Sequence, residues 1–262
     1  MKRIEKYLEL VFDKLTKKDW DNLIVITGDE GISKSNLLLH MTDWWYVKLK
    51  GKCVEEDIKH ICINREQFLL DLKDCKKYEM TGYDEADLIS RRTMDTFNVT
   101  LMKTYQVIRG DNLFTILIIP SVFDLDTFFR NRRVRGMFYV FKRGRCAFWS
   151  KNRLRKMLAL NEKSAIKNMW RVRPTFFDTF PKYKGVLAEL YKKKKDENMK
   201  GIRQKMYDDL QTKDDFAKND REKRIHRCLE KGWSTATIAE FEGISQRRIQ
   251  QIMKTLNESV KA

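Results

Sequence analysis

Hydrophobic positions form two alternating patterns over the first 150 residues of the chain. Short, continuous apolar runs are typical of buried parallel strands, and they are followed by stretches with helical spacing. The predicted strands are residues 23–27, 60–63, 78–83, 113–119, 137–141 and 146–149. The predicted helices are residues 3–18, 66–74 and 93–108, and a further helix that begins at Lys34. This alternation predicts an α/β fold with a mostly parallel sheet covered by helices.

The pattern changes after residue 150, where strand signals fade and the chain becomes polar and helical. We therefore divide the chain into an α/β domain over residues 1–150, a basic helical extension over 151–215 and a small all-α domain over 216–262. In the last segment, a helix that ends at Gly232 precedes a short helix, a turn at Gly243 and a third helix.

Composition narrows the class of protein. Apolar residues make up 42% and aromatic residues 11% of the 262 positions, which indicates a globular chain. No apolar run approaches the length of a membrane span, and the charged N-terminus is unlike a signal peptide, so we expect a cytoplasmic protein without a membrane partner. The five cysteines are widely spaced and the three histidines scattered, which predicts neither a zinc site nor a disulfide framework.

The positive charge is confined to one segment. The chain contains 54 Lys or Arg against 37 Asp or Glu, a formal net charge of +17. Residues 130–205 hold 24 of the basic residues and only 5 of the acidic ones, so the rest of the chain is close to neutral. A basic block beside a neutral domain favours an anionic partner, and DNA or RNA is the first candidate. A lysine-rich surface exposed to solvent is the alternative.

A phosphate-binding loop follows the first predicted strand. It reads Gly28-Asp29-Glu30-Gly31-Ile32-Ser33-Lys34-Ser35, with Asn36 next in the helix. The pattern G-x-x-x-x-G-K-[ST] is met except at Ser33. Backbone N–H groups of such a loop surround a phosphate, Lys34 suits the β and γ phosphates of ATP, and Ser35 offers a hydroxyl to Mg²⁺. If position 33 requires a positive φ, serine is strained there, and a loop that binds without turnover stays open.

An acidic pair, Asp84-Glu85, follows the predicted strand 78–83. Phosphoryl transfer requires a carboxylate for Mg²⁺ and often a second one to polarise water, which are the roles we assign to Asp84 and Glu85. The pair resembles that of the additional-strand P-loop ATPases, in which it ends the strand one removed from the P-loop strand. That resemblance also implies that Ser121, after the strand 113–119, senses the γ-phosphate. The alternative for the acidic pair is a helix N-cap.

Several arginines come next in the chain, among them Arg130, Arg132 and Arg133. Residues 20–150 as a whole resemble the FtsK–HerA group of ATPases and its Zot-like, plasmid and viral relatives that handle DNA. The resemblance implies a homo-oligomer in which one of these arginines reaches the nucleotide of a neighbouring subunit. Contact with nucleic acid and simple exposure to solvent are the other two roles that stay open for them.

The last three predicted helices resemble a helix-turn-helix domain through residues 237–245, which combine a small residue in the first helix with a glycine in the turn. The third helix would present polar side chains suited to base edges and phosphates. These are Gln246, Arg247, Arg248, Gln250 and Gln251. A three-helix bundle that binds another protein is the alternative.

The chain is therefore predicted to be an ATPase with a P-loop that handles DNA in the replication, transfer or packaging of a plasmid or virus, with ATP and Mg²⁺ as cofactors. A DNA-binding regulator that senses the nucleotide with little or no turnover is the alternative.

Overall fold

A mostly parallel sheet lies at the centre of the fold. The computed structural model describes residues 1–84, 96–125, 129–160 and 169–259. Within them the strands are β1 (Asn22–Thr27), β2 (Ile61–Cys62), β3 (Met80–Tyr83), β4 (Phe114–Ile118), β5 (Val134–Lys142), β6 (Arg145–Ser150) and β7 (Phe176–Thr179). Their order across the sheet is β2-β3-β4-β1-β5-β6-β7. The first five in this order are parallel, whereas β6 and β7 are antiparallel to their neighbours.

Five helices of the described residues cover the two faces of this sheet: α1 (Lys2–Lys18), α2 (Lys34–Lys50), α3 (Arg65–Asp74), α4 (Thr96–Val107) and α5 (Lys151–Leu158). Three more helices follow along the chain: α6 (Leu187–Glu230), α7 (Thr235–Glu242) and α8 (Gln246–Ser259). Strand β1 is buried at every position because it has a core on each side. Ile24 and Ile26 belong to the core that contains α1 and α2, and Leu23 and Val25 to the core that contains α3. This explains its continuous apolar run.

The predicted α/β architecture with a mostly parallel, helix-covered sheet is confirmed. Strand β7 was not predicted, because it lies in the segment that we expected to be helical. It pairs with β6 and forms the edge of the sheet, and its Asp178 carboxylate accepts hydrogen bonds from the N–H groups of Arg3 and Ile4 at the start of α1, at 2.8 and 2.9 Å. The strand is short and half-exposed, so its apolar signal is weak.

The chain divides into two compact units, Met1–Asn198 and Met199–Ala262. The second unit contains the end of α6 with α7 and α8, and its small core is made of Ile225, Ile238, Ala239, Ile249 and Ile252. The hydroxyl of Ser234 caps α7 by accepting a hydrogen bond from Thr237 N, and Gly243 ends that helix with φ 66°. Among the described residues, no helix is long and apolar enough to cross a bilayer.

Candidate nucleotide site

The loop between β1 and α2 is held in a conformation that requires glycine at its first position. Gly28 has φ 139°, and a Cβ atom there would lie 2.4 Å from the carbonyl oxygen of Val140 on β5. Its N–H donates to Pro120 O at 3.3 Å, which ties the loop to the segment after β4. The strand–loop–helix context predicted for the motif is therefore present.

Ser33 lies in the left-handed region, with φ 77°, immediately before α2. The position does require the conformation that glycine adopts readily, so the strain expected from the sequence is present. A side chain in this region costs about 1–2 kcal/mol relative to the right-handed one. Gly31 also has a positive φ, of 72°, and a Cβ atom there would meet nothing within 4 Å. The loop therefore keeps its backbone shape in spite of the serine.

The Lys34 ammonium group lies across the loop. It donates to the carbonyl oxygens of Gly28 at 2.6 Å and Asp29 at 2.8 Å. Burial lowers the pKa of Lys34, and the carboxylates of Asp84, Glu30 and Asp29 oppose that shift. The side chain is thus a cation held at the centre of the loop, where the backbone N–H groups at the start of α2 also favour an anion.

Ser35 and Asp84 are in direct contact. Ser35 lies in the first turn of α2, and its hydroxyl donates to Asp84 Oδ2 at 2.8 Å. Asp84 follows β3 and is only 2% exposed, while β4 lies between β3 and the P-loop strand β1. The acidic residue therefore ends the strand one removed from the P-loop strand. A hydroxyl and a carboxylate side by side are the oxygen ligands that Mg²⁺ takes together with nucleotide phosphates.

Two further residues reach Asp84 from the first turns of α6. The Tyr191 hydroxyl donates to Asp84 Oδ2, and Lys195 Nζ lies 3.7 Å from the same oxygen. Lys194 donates to the carbonyl oxygens of Ile58 and Ile61 beside β2, at 3.1 and 2.7 Å. These contacts were not predicted from the sequence, because residues 130–205 were treated only as a basic segment. The spacing of Leu187 and Tyr191, four residues apart and both buried, was the available signal.

The other predicted nucleotide-site residues have different surroundings. Asn36 is engaged away from the loop, since its amide donates to Pro181 O at 2.8 Å and accepts from Tyr183 N at 2.6 Å. The hydroxyl of Ser121 accepts from Phe123 N at 3.2 Å and begins a short 3-10 turn. Asp29 and Glu30 are exposed, and Ile32 packs against the core. Glu85 lies outside the described residues.

The three arginines that were predicted to reach the nucleotide of a neighbouring subunit lie just before β5. Arg133 donates to Asp21 Oδ2 at 2.7 Å and to Tyr105 O at 2.9 Å, and Arg130 donates to Phe123 O at 3.4 Å. Arg132 is exposed. Because β5 is parallel to β1, they lie at the amino ends of the strands, whereas the P-loop lies at the carboxyl ends. A role for Arg130, Arg132 or Arg133 in a neighbouring subunit stays a prediction.

The predicted DNA-contacting side chains are all exposed on α8, whereas Ile249 and Ile252 of the same helix are buried in the small core. They are Gln246, Arg247, Arg248, Gln250 and Gln251. Three of them are hydrogen-bonded within this unit: Gln246 Nε2 donates to Thr235 Oγ1 at 2.8 Å, and Arg248 Nη1 donates to Gln251 Oε1 at 3.1 Å.

A cavity of about 590 Å³ opens beside α1 and the amino end of β1. Its cationic lining consists of Arg3, Lys6, Lys14, Arg135, Lys151 and Arg155. The Arg135 guanidinium also lies 5.8 Å from the centre of the exposed Trp20 ring. Burial lowers the pKa of Lys151, and the charges of Arg135 and Arg155 lower it further. Part of the basic block is therefore concentrated in one concave surface.

Comparisons with known proteins give little beyond this geometry. No protein-family model matches the chain, and no curated protein is similar to it. Among solved structures, the chain is similar to the N-terminal domain of zonular occludens toxin from Neisseria meningitidis, with 14% identity and a TM-score of 0.39. That similarity covers 64% of this chain and 97% of the toxin domain. We draw no argument from this similarity. The description of the fold depends instead on the strand order of the sheet and on the loop between β1 and α2. These are consistent with a P-loop NTPase-like fold.

Proposed function

We propose that this protein binds ATP with Mg²⁺ and hydrolyses it. The observation that carries the proposal is the 2.8 Å contact between the Ser35 hydroxyl and Asp84, beside a loop that already holds Lys34. In this proposal the backbone of residues 28–35 surrounds the β-phosphate, and Lys34 neutralises charge on the β and γ phosphates. Ser35 and Asp84 hold the metal ion, Glu85 orients the attacking water, and Ser121 senses the γ-phosphate.

We propose further that ATP turnover serves the handling of DNA, in the replication, transfer or packaging of a plasmid or virus. Two surfaces support this. The exposed face of α8 offers guanidinium and amide groups of the kind that read base edges, as the third helix of a helix-turn-helix domain does. The cationic cavity beside α1 offers a site for phosphates, with the Trp20 ring available for stacking.

The nucleotide proposal is tested by an ATPase assay with and without long duplex DNA. We expect DNA-stimulated turnover in the wild type and none in Lys34→Ala, because that variant loses the cation that meets the β and γ phosphates. Lys17→Ala, which removes an exposed lysine from α1, is the matched control and should behave as the wild type. Equal turnover in the wild type and Lys34→Ala would contradict the proposal.

The alternative is a regulator that binds ATP and barely hydrolyses it. Tyr191 and Lys195 favour this alternative, because they occupy the carboxylate oxygen of Asp84 that Mg²⁺ would need. The strained Ser33 also favours it. Tight binding of a fluorescent ATP analogue by the wild type, lost in Lys34→Ala and not accompanied by turnover under any DNA condition, would establish the regulator and reject the ATPase.

DNA contact is tested by the salt dependence of affinity for duplex DNA. We expect Arg247→Ala/Arg248→Ala to lower the slope of log K against log salt by about 2, because each phosphate contact contributes about 0.9. Lys151→Ala/Arg155→Ala tests the cavity in the same way. Lys17→Ala/Lys18→Ala, a pair at the exposed end of α1, controls for net charge. If all three variants changed the slope equally, only overall charge would matter and neither surface would be a site.

Assembly into a homo-oligomer is part of the proposal, since an arginine acting in trans needs a neighbouring subunit. Solution mass measured with and without nucleotide and DNA tests it, and a monomer under all conditions would exclude a trans-acting Arg130, Arg132 or Arg133.

A further inference from the structure

A buried cluster of metal-ligand side chains lies beside β2, apart from the nucleotide loop. His60 ends the 3-10 turn that precedes β2, while Asp71 and Cys75 are one helical turn apart at the end of α3. Their ligand atoms all lie within 4.8 Å of one another. His60 Nδ1 is 2.8 Å from Asp71 Oδ1 and 3.6 Å from Cys75 Sγ. The folded chain thus joins residues that looked scattered in the sequence and from which no zinc site was expected.

One polar atom of the cluster has no partner among the described residues. Asp71 is only 9% exposed, and its Oδ2 makes no hydrogen bond in the described part of the chain. A buried carboxylate oxygen without a donor is costly, because it has lost water and gained nothing in return. The oxygen is part of the same group that contacts His60. A cation bound between these side chains would satisfy it.

We propose that His60 Nδ1, the Asp71 carboxylate and the Cys75 thiolate bind one Zn²⁺ ion. With ordinary zinc–ligand bond lengths and tetrahedral angles, the nitrogen and the sulfur should be about 3.6 Å apart and the nitrogen and the oxygen about 3.4 Å apart. The observed nitrogen–sulfur distance of 3.6 Å already matches. The observed nitrogen–oxygen distance of 2.8 Å is that of a hydrogen bond, so Asp71 must shift by roughly half an ångström to admit the ion.

The chemistry of the donors selects zinc. Nitrogen and sulfur ligands suit Zn²⁺, whereas Mg²⁺ and Ca²⁺ take oxygen ligands. The second ring nitrogen, His60 Nε2, faces the Glu79 carboxylate at 4.0 Å. A metal-binding histidine usually donates its second ring N–H to a carboxylate, which orients the ring and increases its basicity, and Glu79 would have to move about 1 Å closer to accept that hydrogen bond. The His60 ring is also stacked on Tyr46, with centroids 5.2 Å apart, which restricts its rotation.

Cys62 is the residue that we assign to the fourth position. Its thiol is buried at the end of β2, two residues after His60, and Cys62 belongs to the same buried core cluster as Cys75. In the present arrangement the Cys62 thiol is 3.7 Å from Lys59 O, so it must rotate to bind. A closed site with four protein ligands is the form that structural zinc takes. We therefore assign the ion a structural role, joining α3 to the edge of the sheet.

The test is metal content and spectroscopy on the full-length protein. We expect about one zinc ion per chain after dialysis, and Co²⁺ in its place should give tetrahedral ligand-field bands with thiolate-to-metal charge transfer. The charge-transfer band identifies a thiolate site and separates it from metal held at Asp84, which has no sulfur ligand among its described contacts. Wild-type protein that takes up no zinc and gives no such band would overturn the proposal.

Variants then identify the ligands. Cys75→Ser and His60→Gln should lose more than tenfold in zinc affinity, since even the loss of a residue that only supports a ligand typically costs about 10- to 100-fold. Cys146→Ser, which alters an equally buried thiol near β7, is the matched control and should bind as the wild type. Unchanged affinity in Cys75→Ser would reject the site, and unchanged affinity in Cys62→Ser would reject the assignment of the fourth ligand. If a variant does not fold, the wild-type cobalt spectrum alone decides whether a thiolate site exists.

Discussion

Two buried aspartates lie near β2, one at the end of β3 and one in α3, and their neighbours differ in chemical character. Asp84 is 2% exposed and is contacted by two hydroxyl groups and an ammonium group, from Ser35, Tyr191 and Lys195. Asp71 is 9% exposed and shares its surroundings with the His60 ring and the Cys75 thiol. The two clusters also meet through the backbone, because Asp84 N donates to Cys62 O at 2.9 Å. The side chains around a buried aspartate, rather than its own carboxylate, therefore decide which cation it can bind.

The largest effect is expected from exchanging each aspartate for its amide. Asp84→Asn should lower Mg²⁺-dependent ATP turnover about 100-fold or more, because the metal loses a charged ligand. Asp71→Asn should leave turnover per folded molecule close to wild type and should weaken zinc binding instead. Steady-state ATPase assays and zinc titrations on both variants measure the two effects.

Each variant is the control for the other, since both remove one buried negative charge with nearly unchanged shape. Similar losses of turnover in the two variants would show that the aspartates are not functionally distinct. Circular dichroism of each variant is needed to express turnover per folded molecule.

A second effect is expected at alkaline pH in the metal-free protein. Burial first, and then Asp71, raise the pKa of Cys62 from its ordinary 9.0 to about 12. Above pH 9 the unfolded chain loses this proton while the folded chain keeps it. The contribution to stability is therefore fully present below pH 9 and is lost as the pH rises towards 12. By pH 10 the loss should reach about 1.4 kcal/mol.

Urea unfolding at several pH values measures this loss, and Cys62→Ala should show a shallower decline than the wild type. Bound zinc should remove the difference between them if Cys62 is a ligand, because the thiol has then already lost its proton. A wild-type decline identical to that of Cys62→Ala would contradict the expectation.

A smaller effect on stability is expected at Ser33, in the loop between β1 and α2. Ser33→Gly should stabilise the protein by about 0.5–1 kcal/mol, since relief of left-handed strain exceeds the extra entropy of glycine in the unfolded chain. Gly31→Ser provides the reverse test, because Gly31 also has a positive φ and has room for a side chain. It should destabilise the fold by a similar amount. A destabilised Ser33→Gly would mean that the serine side chain makes a compensating contact.

The smallest effect concerns Lys195. Lys195→Ala should lower the Mg²⁺ concentration needed for half-maximal nucleotide binding by about two- to fivefold, because a partly exposed ion pair of this kind is worth up to about 1 kcal/mol. Lys193→Ala, an exposed neighbour in the same run, should change nothing. A higher Mg²⁺ requirement in Lys195→Ala would show that the lysine assists the metal site instead of competing with it.

Local patterns explain which parts of this molecule could be predicted. Strand β1 and the loop at Gly28 are encoded within a dozen consecutive residues, and the double-sided burial of β1 produces an unmistakable apolar run. Ser35 and Asp84 were each assigned to Mg²⁺, the first from the loop motif and the second from the resemblance to P-loop ATPases. The contact between them arises because the strand order places the ends of β1 and β3 at the same edge of the sheet.

The rest depends on contacts between distant segments. Asp71 and Cys75 are four residues apart on one helix face, but His60 joins them only because the turn before β2 packs against α3. Strand β7 is a short, half-exposed edge strand, so its sequence has no strong apolar pattern. Tyr191 and Lys195 reach Asp84 across more than a hundred residues of sequence, and a run of lysines gives no sign that one of them turns inward.

The two contacts that α6 makes with Asp84 have a consequence for how this site would respond to its ion. Tyr191 and Lys195 are one helical turn apart and end on the same carboxylate oxygen. An arriving Mg²⁺ must therefore displace both side chains from that oxygen before it can bind there. The affinity of Asp84 for the ion should be lower than that of an unobstructed carboxylate, and binding of the ion would release the first turns of α6 from the site.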